Sequence, residues 1–342
     1  MNPPQKVVTG LVRGTDCTVQ WLLRLALVFV VLVLNRGAAE VPVRLNLEAL
    51  VKRLGYESVE LRRTGDNHLY VSGRLNHRRC SVLVDTGWSF TTISTNAARQ
   101  LKRHDGSDVA SAVALFPKDG NSEVVWLDNL KLGPVEFARQ PALVQHIMQD
   151  GQAAPFDLVL GCDFLIRNFA IVDCRNRRLY VRRAPPSPQQ RQEFAAALDR
   201  CGFVAIGMKR REPLALTCQA HVNGEAMEML VDSAAVWSCL DARQVRELGL
   251  RVRPTAGKLR GVGATGTRGV AVAEARTFAL GDATLNGLNF AVLDLADWGF
   301  AAPGERLSEV KGILGGRELA LFHAVMDCDE SKLWVKWISP GK

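Results

Sequence analysis

The 342-residue sequence predicts an all-β fold arranged as two similar lobes, with only minor helices. Two observations predict this class. Short runs that alternate apolar and polar residues, such as LYVSGRL (69–75) and VAVAEARTFAL (270–280), are typical of strands, and Asn, Gly and charged residues separate such runs as in turns. The same series of strands also occurs twice along the chain, which is long enough to form two hydrophobic cores.

The internal repeat is visible when the sequence is shifted by 147 residues. CSVLVDT (80–86) then lies over MEMLVDS (227–233) without a gap. Farther along, a shift of 154 residues places LVLGCDFL (158–165) over GILGGREL (312–319). A repeat of this kind indicates that the two halves of the chain form the same structural unit.

The repeat divides the chain into lobes. We predict a first lobe over residues 45–183 and a second lobe over residues 192–337. Residues 184–191 lie between them and begin with APPSPQQ, so we expect an extended, exposed, proline-rich linker there.

The few predicted helices fall at matching places in the two lobes. An amphipathic pattern precedes each lobe, in LNLEALVKRLGY (45–56) and in EFAAALDRCGF (193–203). Two shorter helices are expected after Ser94 and Asp241, because both residue types favour the N-cap position of a helix.

The N-terminal residues 1–39 have the pattern of a signal peptide. Basic residues precede the apolar run LALVFVVLVL (25–34), and the small residues Gly37 and Ala39 follow it. Ten apolar residues fit the core of a signal peptide and fall short of the ~20 that a membrane-spanning helix needs. We expect cleavage before Glu40, with an uncleaved N-terminal membrane anchor as the alternative. In both cases the lobes would lie outside the cytoplasm, in the periplasm of a bacterium or in the extracellular space.

The net charge of +8 does not indicate a nucleic-acid partner. The basic residues are spread along the chain, with local clusters at HRRC (77–80) and RNRRLYVRR (175–183), and the chain has only three tyrosines for stacking on bases. We interpret both clusters as solvated strand ends and turns. No nucleic-acid partner is expected.

The cysteines and histidines do not show the spacing of metal ligands. Seven cysteines lie beyond residue 39, an odd number that leaves at least one free thiol in a single chain, and the six histidines are scattered. We interpret most of these cysteines as small buried hydrophobic residues. No metal and no cofactor is expected.

A pair of carboxylates is the strongest chemical feature of the sequence. Asp85 ends the apolar run of the first copy, and the repeat places Asp232 at the same point in the second copy. Burial of a carboxylate at the end of a strand is costly and requires a reason. Two carboxylates that share one proton can act together as a general base and a general acid, so we predict a hydrolytic dyad.

On these residues the sequence resembles the retropepsin-like aspartic proteases, the clan of the retroviral proteases and pepsin. The family pattern is an apolar strand that leads into Asp-Thr/Ser-Gly, then a short helix, a flap hairpin, and a later apolar-apolar-Gly segment. The first copy has LVDTGWS (83–89) and LVLG (158–161), and the second copy has LVDSAAV (230–236) and ILGG (313–316). The resemblance extends over nearly all of residues 45–337.

The resemblance implies an aspartic endopeptidase with two tandem β-barrel lobes and an active site at their interface. Asp85 and Asp232 would be the catalytic dyad, and the hydroxyls of Thr86 and Ser233 would tie the two aspartate loops together. The substrate would be a peptide or protein. Because one chain carries both half-sites, the protein would act as a monomer.

One motif position departs from the family pattern. Gly87 would present its backbone N–H to the first carboxylate, whereas Ala234 occupies the place of the second glycine and is followed by Ala235. A methyl group in this tight loop is the basis for an alternative function, a pseudoprotease that binds peptides without cleaving them.

Two further features are assigned by the resemblance. The run GVGATG (261–266) matches the dinucleotide-binding pattern, but a strand follows it where a helix would be required. We expect Gly261, Val262 and Gly263 to belong to a flap over the substrate, with an ordinary glycine-rich hairpin as the alternative. Trp88 would line a substrate pocket or fill the core.

A second matched pair of carboxylates is expected to be structural. Asp173 and Asp327 each lie between a strand and a turn, where aspartates commonly bond to the backbone.

Overall fold

The computed structural model describes most of one compact unit, Leu45–Lys342. The residues it describes are 46–101, 123–147, 156–259, 268–296 and 309–337. The predicted signal peptide or anchor at residues 1–39 lies outside them. Among the described residues, no helix has both the length and the apolar character needed to cross a membrane.

The first lobe consists of short strands with three short helices in its described part. In chain order these elements are α1 (Leu47–Arg53), β1 (Glu57–Glu60), β2 (Arg62–Arg63), β3 (Leu69–Leu75), β4 (Arg78–Val84), β5 (Thr92–Ser94), α2 (Thr95–Ala98), β6 (Val124–Leu127), β7 (Leu130–Leu132), β8 (Val135–Phe137), β9 (Gln140–Gln145), β10 (Leu158–Leu160), α3 (Cys162–Arg167), β11 (Ile171–Asp173) and β12 (Arg178–Val181).

The second lobe repeats this order of elements. They are α4 (Pro188–Arg200), β13 (Val204–Arg211), β14 (Ala215–Val222), β15 (Glu225–Asp232), β16 (Cys239–Asp241), α5 (Ala242–Glu247), β17 (Val252–Leu259), β18 (Arg268–Leu280), β19 (Ala283–Leu293), β20 (Val310–Gly315), α6 (Gly316–Leu321), β21 (Val325–Asp327) and β22 (Lys332–Val335). The predicted all-β class with minor helices is confirmed.

Each lobe curls its strands around the strand that carries the predicted aspartate. In the first lobe β4 pairs antiparallel with β3 and parallel with β10. In the second lobe β15 pairs in the same way with β14 and β20. Alternation of buried and exposed residues along β3 follows from its apolar pattern, because successive side chains of a strand point to opposite faces. The two lobes therefore deliver the two aspartates by the same topology.

A sheet shared by both lobes joins them into one body. Its strand order is β1-β12-β11-β21-β22-β13, with β11 of the first lobe antiparallel to β21 of the second. Val172 and Met326 are partners in this register, and both side chains are fully buried. On either side, the N–H of Cys174 donates to Ala324 and the N–H of Cys328 donates to Ala170, each at 3.0 Å. One continuous apolar cluster includes residues of both lobes.

The segment between the lobes is less extended than its three prolines suggested. Helix α4 begins at Pro188, so the predicted linker 184–191 is wrong in its last four residues. Ser187 accepts a hydrogen bond from the N–H of Gln190, whose side chain in turn accepts from the N–H of Ser187. This capping box, with proline at the first helical position where no N–H is needed, starts the helix.

The other predicted helices are present, and the two predicted to be shorter are indeed short. Ser94 and Asp241 are N-caps as predicted, each accepting a backbone N–H with its side chain. The helices that follow them end after four and six residues.

Candidate active site

Strand pairing brings each aspartate to the edge of its lobe. Asp85 directly follows β4, and its N–H donates to the carbonyl of Leu160 at the end of β10 (3.1 Å). Asp232 ends β15 opposite Gly315 of β20. The parallel neighbour of each aspartate strand is therefore the apolar-apolar-Gly segment of the family pattern.

The glycines of these segments are required by close backbone contact. A Cβ atom built on Gly161 would lie 2.7 Å from the carbonyl carbon of Phe90 and 2.8 Å from the carbonyl oxygen of Trp88. A Cβ atom on Gly315 would lie 2.5 Å from the carbonyl carbon of Trp237. Real Cβ atoms do not approach backbone so closely, so any other residue would push the aspartate loop away from its place.

The two aspartate loops are tied together by reciprocal hydrogen bonds. The hydroxyl of Thr86 donates to the carbonyl of Val231 (2.8 Å) and accepts the N–H of Ser233 (2.9 Å). The hydroxyl of Ser233 donates to the carbonyl of Val84 (2.9 Å) and accepts the N–H of Thr86 (3.1 Å). Thr86 and Ser233 are fully buried, so these four bonds satisfy every polar group in the contact.

The carboxyl groups of Asp85 and Asp232 meet across this contact: the carboxyl of Asp232 packs against the backbone of Gly87, whose N–H donates to Asp85. The Oδ1 atom of Asp85 accepts the N–H of Gly87 at 2.9 Å, and Oδ1 of Asp232 accepts the N–H groups of Ala234 and Ala235 at 2.8 Å each. Desolvation and the negative charge of Asp232 raise the pKa of Asp85 well above its ordinary value of 3.8. Desolvation also raises the pKa of Asp232, which its N–H donors oppose.

The departure at Ala234 does not strain the loop. Neither Gly87 nor Ala234 has a positive φ angle, so no left-handed conformation demands glycine at either position. The methyl of Ala234 packs with Trp88 against a small apolar cluster, while its N–H still reaches Asp232.

Gly87 is in a different position from Ala234. A Cβ atom there would lie 2.4 Å from Cγ of Asp232. The glycine is therefore needed because of the partner carboxylate, and not because of its own backbone angles.

Buried carboxylates behind each aspartate loop support it, and the sequence analysis missed them. Asp163 accepts the N–H (2.6 Å) and the hydroxyl (2.8 Å) of Thr91. Glu318 does the same for Ser238, at 2.9 and 2.8 Å. Thr91 overlies Ser238 in the 147-residue register, but the two carboxylates are one position apart in the 154-residue register, which concealed the pair.

A second missed feature exists only in the first lobe. Nδ2 of Asn67 donates to the carbonyl of Val236 in the second aspartate loop (3.4 Å), and the adjacent His68 lies close enough to Asp232 and Ala234 to interact with them. Desolvation lowers the pKa of His68, against the negative charges of Asp66 and Asp232. The repeat places leucine and alanine at the equivalent positions of the second lobe, so a break in the repeat was the available signal.

The remaining candidates fall into two groups. Trp88 is half-buried beside the dyad, where its ring packs on the cluster beneath Ala234 and its Nε1 donates to Thr92 (2.8 Å). The flap candidates Gly261, Val262 and Gly263 lie outside the described residues. Strands β17 and β18, which flank them, pair antiparallel up to Leu259 and Arg268.

The second carboxylate pair is structural, as predicted. Asp173 accepts the backbone N–H and the side-chain amide of Asn176, and Asp327 accepts the N–H of Glu330. Both carboxylates therefore close the turns that follow their strands.

The cysteines are packing residues in this structure. The seven that it describes are buried free thiols: Cys80, Cys162, Cys174, Cys201, Cys218, Cys239 and Cys328. Within the described segments, no group of three or more His, Cys, Asp or Glu residues is arranged to hold a metal ion.

Comparison with known protein families identifies two similar regions in the chain. A family model described as aspartyl protease matches residues 71–164 and again residues 218–317, once in each lobe. No curated protein matches the chain. The double match confirms the predicted resemblance and the predicted internal duplication.

Replacement of Glu318 by Ala and by Gln should separate hydrogen bonding from charge. The alanine variant leaves the N–H and hydroxyl of Ser238 buried without their acceptor, so it should lower the free energy of unfolding by about 1–3 kcal/mol. The glutamine variant keeps a carbonyl oxygen that accepts from Ser238. The oxygen that it replaces by an amide group is Oε1 of Glu318, which has no hydrogen-bond partner among the described residues. The glutamine variant should lose less than about 1 kcal/mol in urea unfolding. Equal losses would show that the negative charge itself is required.

Replacement of Asp85 by Asn should change how stability depends on pH. Because the folded chain raises the pKa of this carboxyl, the folded state keeps a proton that the unfolded chain releases above pH 3.8. The wild-type protein therefore loses stability as pH rises from 3.8 toward the raised value, whereas the Asn variant lacks this contribution. Between pH 3.5 and 7.5, the melting temperature of D85N should rise relative to that of the wild type as the pH increases.

The exposed Asp282, in the turn between β18 and β19, provides the control for this experiment. The melting temperature of D282N should change with pH in the same way as that of the wild type. A D85N curve parallel to the wild type would contradict a raised pKa at Asp85.

Proposed function

Because the chain belongs to the aspartyl protease family, we propose that it is a single-chain aspartic endopeptidase whose Asp85 and Asp232 activate a water molecule for peptide-bond hydrolysis. The observation that carries the proposal is the close approach of two carboxyl groups, one from each lobe, across the buried contact of Thr86 and Ser233. Two carboxylates this close cannot both be ionised, so the pair holds a proton between them.

The surroundings favour an assignment of that proton to Asp85. Oδ1 of Asp232 accepts two backbone N–H groups, from Ala234 and Ala235, whereas Oδ1 of Asp85 accepts one, from Gly87. Donors of this kind favour the ionised form of a carboxyl group, and the ring of His68 also lies near Asp232. Asp232 is then the general base and Asp85 the general acid.

The chemistry follows from these roles. Asp232 accepts a proton from the water as its oxygen attacks the scissile carbonyl carbon, while Asp85 donates its proton to the carbonyl oxygen. On collapse of the tetrahedral intermediate the C–N bond breaks, the proton on Asp232 passes to the leaving amine, and a hydroxyl proton of the intermediate returns to Asp85, which restores the dyad. The reaction needs no nucleophilic side chain, because water is the nucleophile.

The peptide would lie between the lobes, across the dyad. Trp88 is half-buried beside Asp85 and would offer an aromatic surface to a substrate side chain. Gly261, Val262 and Gly263 would belong to the flap that closes over the peptide, since strands β17 and β18 lead to them and back. For residues 1–39 we propose export, either by cleavage before Glu40 or as an N-terminal anchor that leaves the lobes outside the cytoplasm.

The unstrained loop at Ala234 favours catalysis over the pseudoprotease alternative. That alternative rests on a methyl group in a tight loop, yet the N–H of Ala234 reaches Asp232 at 2.8 Å without a positive φ angle. A peptide-binding protein without activity would also have no use for two desolvated carboxyl groups placed side by side.

Removal of either carboxylate should abolish cleavage. D85N and D232N should each lower kcat by about a thousandfold or more, and the double variant should be little worse, because the pair acts as one unit. Cleavage of a peptide library, read by mass spectrometry, measures the effect, with D282N as a control for a change at an exposed site. A single variant that retained most of its turnover would exclude a shared proton as the basis of activity.

Replacement of Ala234 by glycine and of Gly87 by alanine should have unequal effects on activity. A234G removes a methyl from an unstrained loop and should change kcat by less than about tenfold, which is ~1.4 kcal/mol. G87A places a methyl on the Asp232 carboxylate and should displace it, with a loss of a hundredfold or more expected for a shift of about 1 Å. If the natural protein is silent and A234G cleaves peptides, the pseudoprotease alternative is right.

Dilution should leave the activity per molecule unchanged. Both half-sites lie in one chain and are joined by a shared sheet, so no second chain is needed to complete the dyad. Specific activity measured over a hundredfold range of protein concentration tests this. A steep fall on dilution would mean that the active form is an assembly of chains.

A further inference from the structure

A cavity of about 370 Å³ opens where the two lobes meet, apart from the dyad. Four arginines line it, three from the first lobe and one from the second: Arg63, Arg175, Arg177 and Arg317. Asn67, Ala320 and Leu321 complete its wall. Among the residues that the structure describes, no acidic side chain belongs to this lining.

The fold holds the arginines of the first lobe at this place. Arg175 and Arg177 lie in the turn between β11 and β12, where Arg177 has a φ angle of 58°. The carbonyl of Arg177 accepts the N–H of Leu61 at 2.9 Å, which fixes the turn beside β2 and therefore beside Arg63. The basic sequence cluster at 175–183, which we interpreted as a solvated turn, thus contributes two side chains to an interlobe cavity.

The positive charge in this cavity is poorly compensated. Arg63 donates to the carbonyl of Cys174 and to the side chain of Asn67, which are both uncharged. Among the described residues, Arg63, Arg175 and Arg177 form no ion pair, and Arg317 reaches only Glu318, at 3.9 Å. The pKa of Arg63 is lowered by desolvation and by the charges of Arg177 and Arg175, as like charges without a counterion require.

Other arginines of the chain do form close ion pairs with carboxylates. Arg191 pairs with Asp329, and Arg211 pairs with both Glu228 and Glu309. Four guanidinium groups around a cavity whose described lining has no carboxylate therefore form a favourable environment for an anion.

We propose that this interlobe cavity binds a polyvalent phosphate group, such as a diphosphate or a phosphomonoester. The planar fork of arginine matches the oxygens of phosphate in bidentate fashion, and clustered arginines are typical of phosphate sites. A volume of about 370 Å³ lies within the range of small-molecule pockets, so it accommodates more than a single inorganic ion. The group can belong to a soluble molecule or to a lipid headgroup, because the recognition chemistry is the same.

Binding should strengthen the junction of the lobes. An anion held by Arg175 and Arg177 on one side and by Arg317 on the other replaces repulsion with a bridge between the lobes. Asn67 lines the same cavity and donates to Val236 in the second aspartate loop, so the site is also connected to the loop that carries Asp232.

Thermal unfolding of the full-length protein with pyrophosphate tests the proposal without reference to cleavage. At constant ionic strength, maintained with NaCl, pyrophosphate should raise the melting temperature by several degrees in a saturable manner. The double variant R175Q/R177Q alters two exposed turn residues and should lose this response, with an affinity at least about tenfold weaker in calorimetric titration. R251Q/R276Q removes the same charge from exposed positions outside the cavity and should respond like the wild type.

Further arms of the experiment identify the source of the phosphate. Tighter binding of glycerol phosphate or pyrophosphate than of orthophosphate indicates a soluble ligand. Cosedimentation with phosphatidic acid vesicles that is lost in R175Q/R177Q, but kept in R251Q/R276Q, indicates a lipid headgroup. The proposal is overturned if the wild-type protein binds neither pyrophosphate nor vesicles. It is also overturned if R175Q/R177Q binds as tightly as R251Q/R276Q. None of these readouts depends on Asp85 or Asp232, so the outcome is independent of the proposed protease activity.

Discussion

The reciprocal hydrogen bonds between Thr86 and Ser233 are the contact on which the rest of the site depends. Each hydroxyl bridges to the backbone of the opposite lobe, and the contact is fully buried, so the two aspartate loops keep a defined separation. The carboxyl groups of Asp85 and Asp232 lie next to each other only because this separation is maintained. Their desolvation, which raises the pKa of both groups, follows from the same contact.

The sheet shared by the two lobes makes each copy of the repeat depend on the other. Strands β11 and β21 pair across the lobe boundary, and the apolar residues that they bury belong to one cluster with the cores of both lobes. Repeated sequences would allow two separate domains, but here each copy lacks an edge that only the other copy can complete. The dyad therefore lies on a rigid base, and its geometry is not left to a flexible linker.

The two lobes have nevertheless diverged where they contact each other. Asn67 and His68 of the first lobe reach the second aspartate loop, and the equivalent positions of the second lobe are apolar. The carboxylate of Asp232 occupies the space that a side chain at position 87 would need, whereas the methyl of Ala234 has room against Trp88. These differences make the electrostatic surroundings of the two aspartates unequal, which is the physical basis for the different roles in proton transfer that we propose for them. A symmetric dimer of identical chains has no such built-in distinction, because both copies of a residue have the same neighbours.

The sequence by itself determined the class of the fold, the two lobes and the identity of the paired aspartates. Strand periodicity is a local property, and a duplication can be read from residue spacing, so these features need no knowledge of how the lobes meet. Only the tertiary structure decided that Pro188 starts a helix, that Asp163 and Glu318 support the aspartate loops, and that Ala234 is unstrained. It also gathered arginines from β2, the β11–β12 turn and α6 around one cavity. These side chains are far apart in the sequence and carry no periodic signal, because their proximity arises from the pairing of the two lobes.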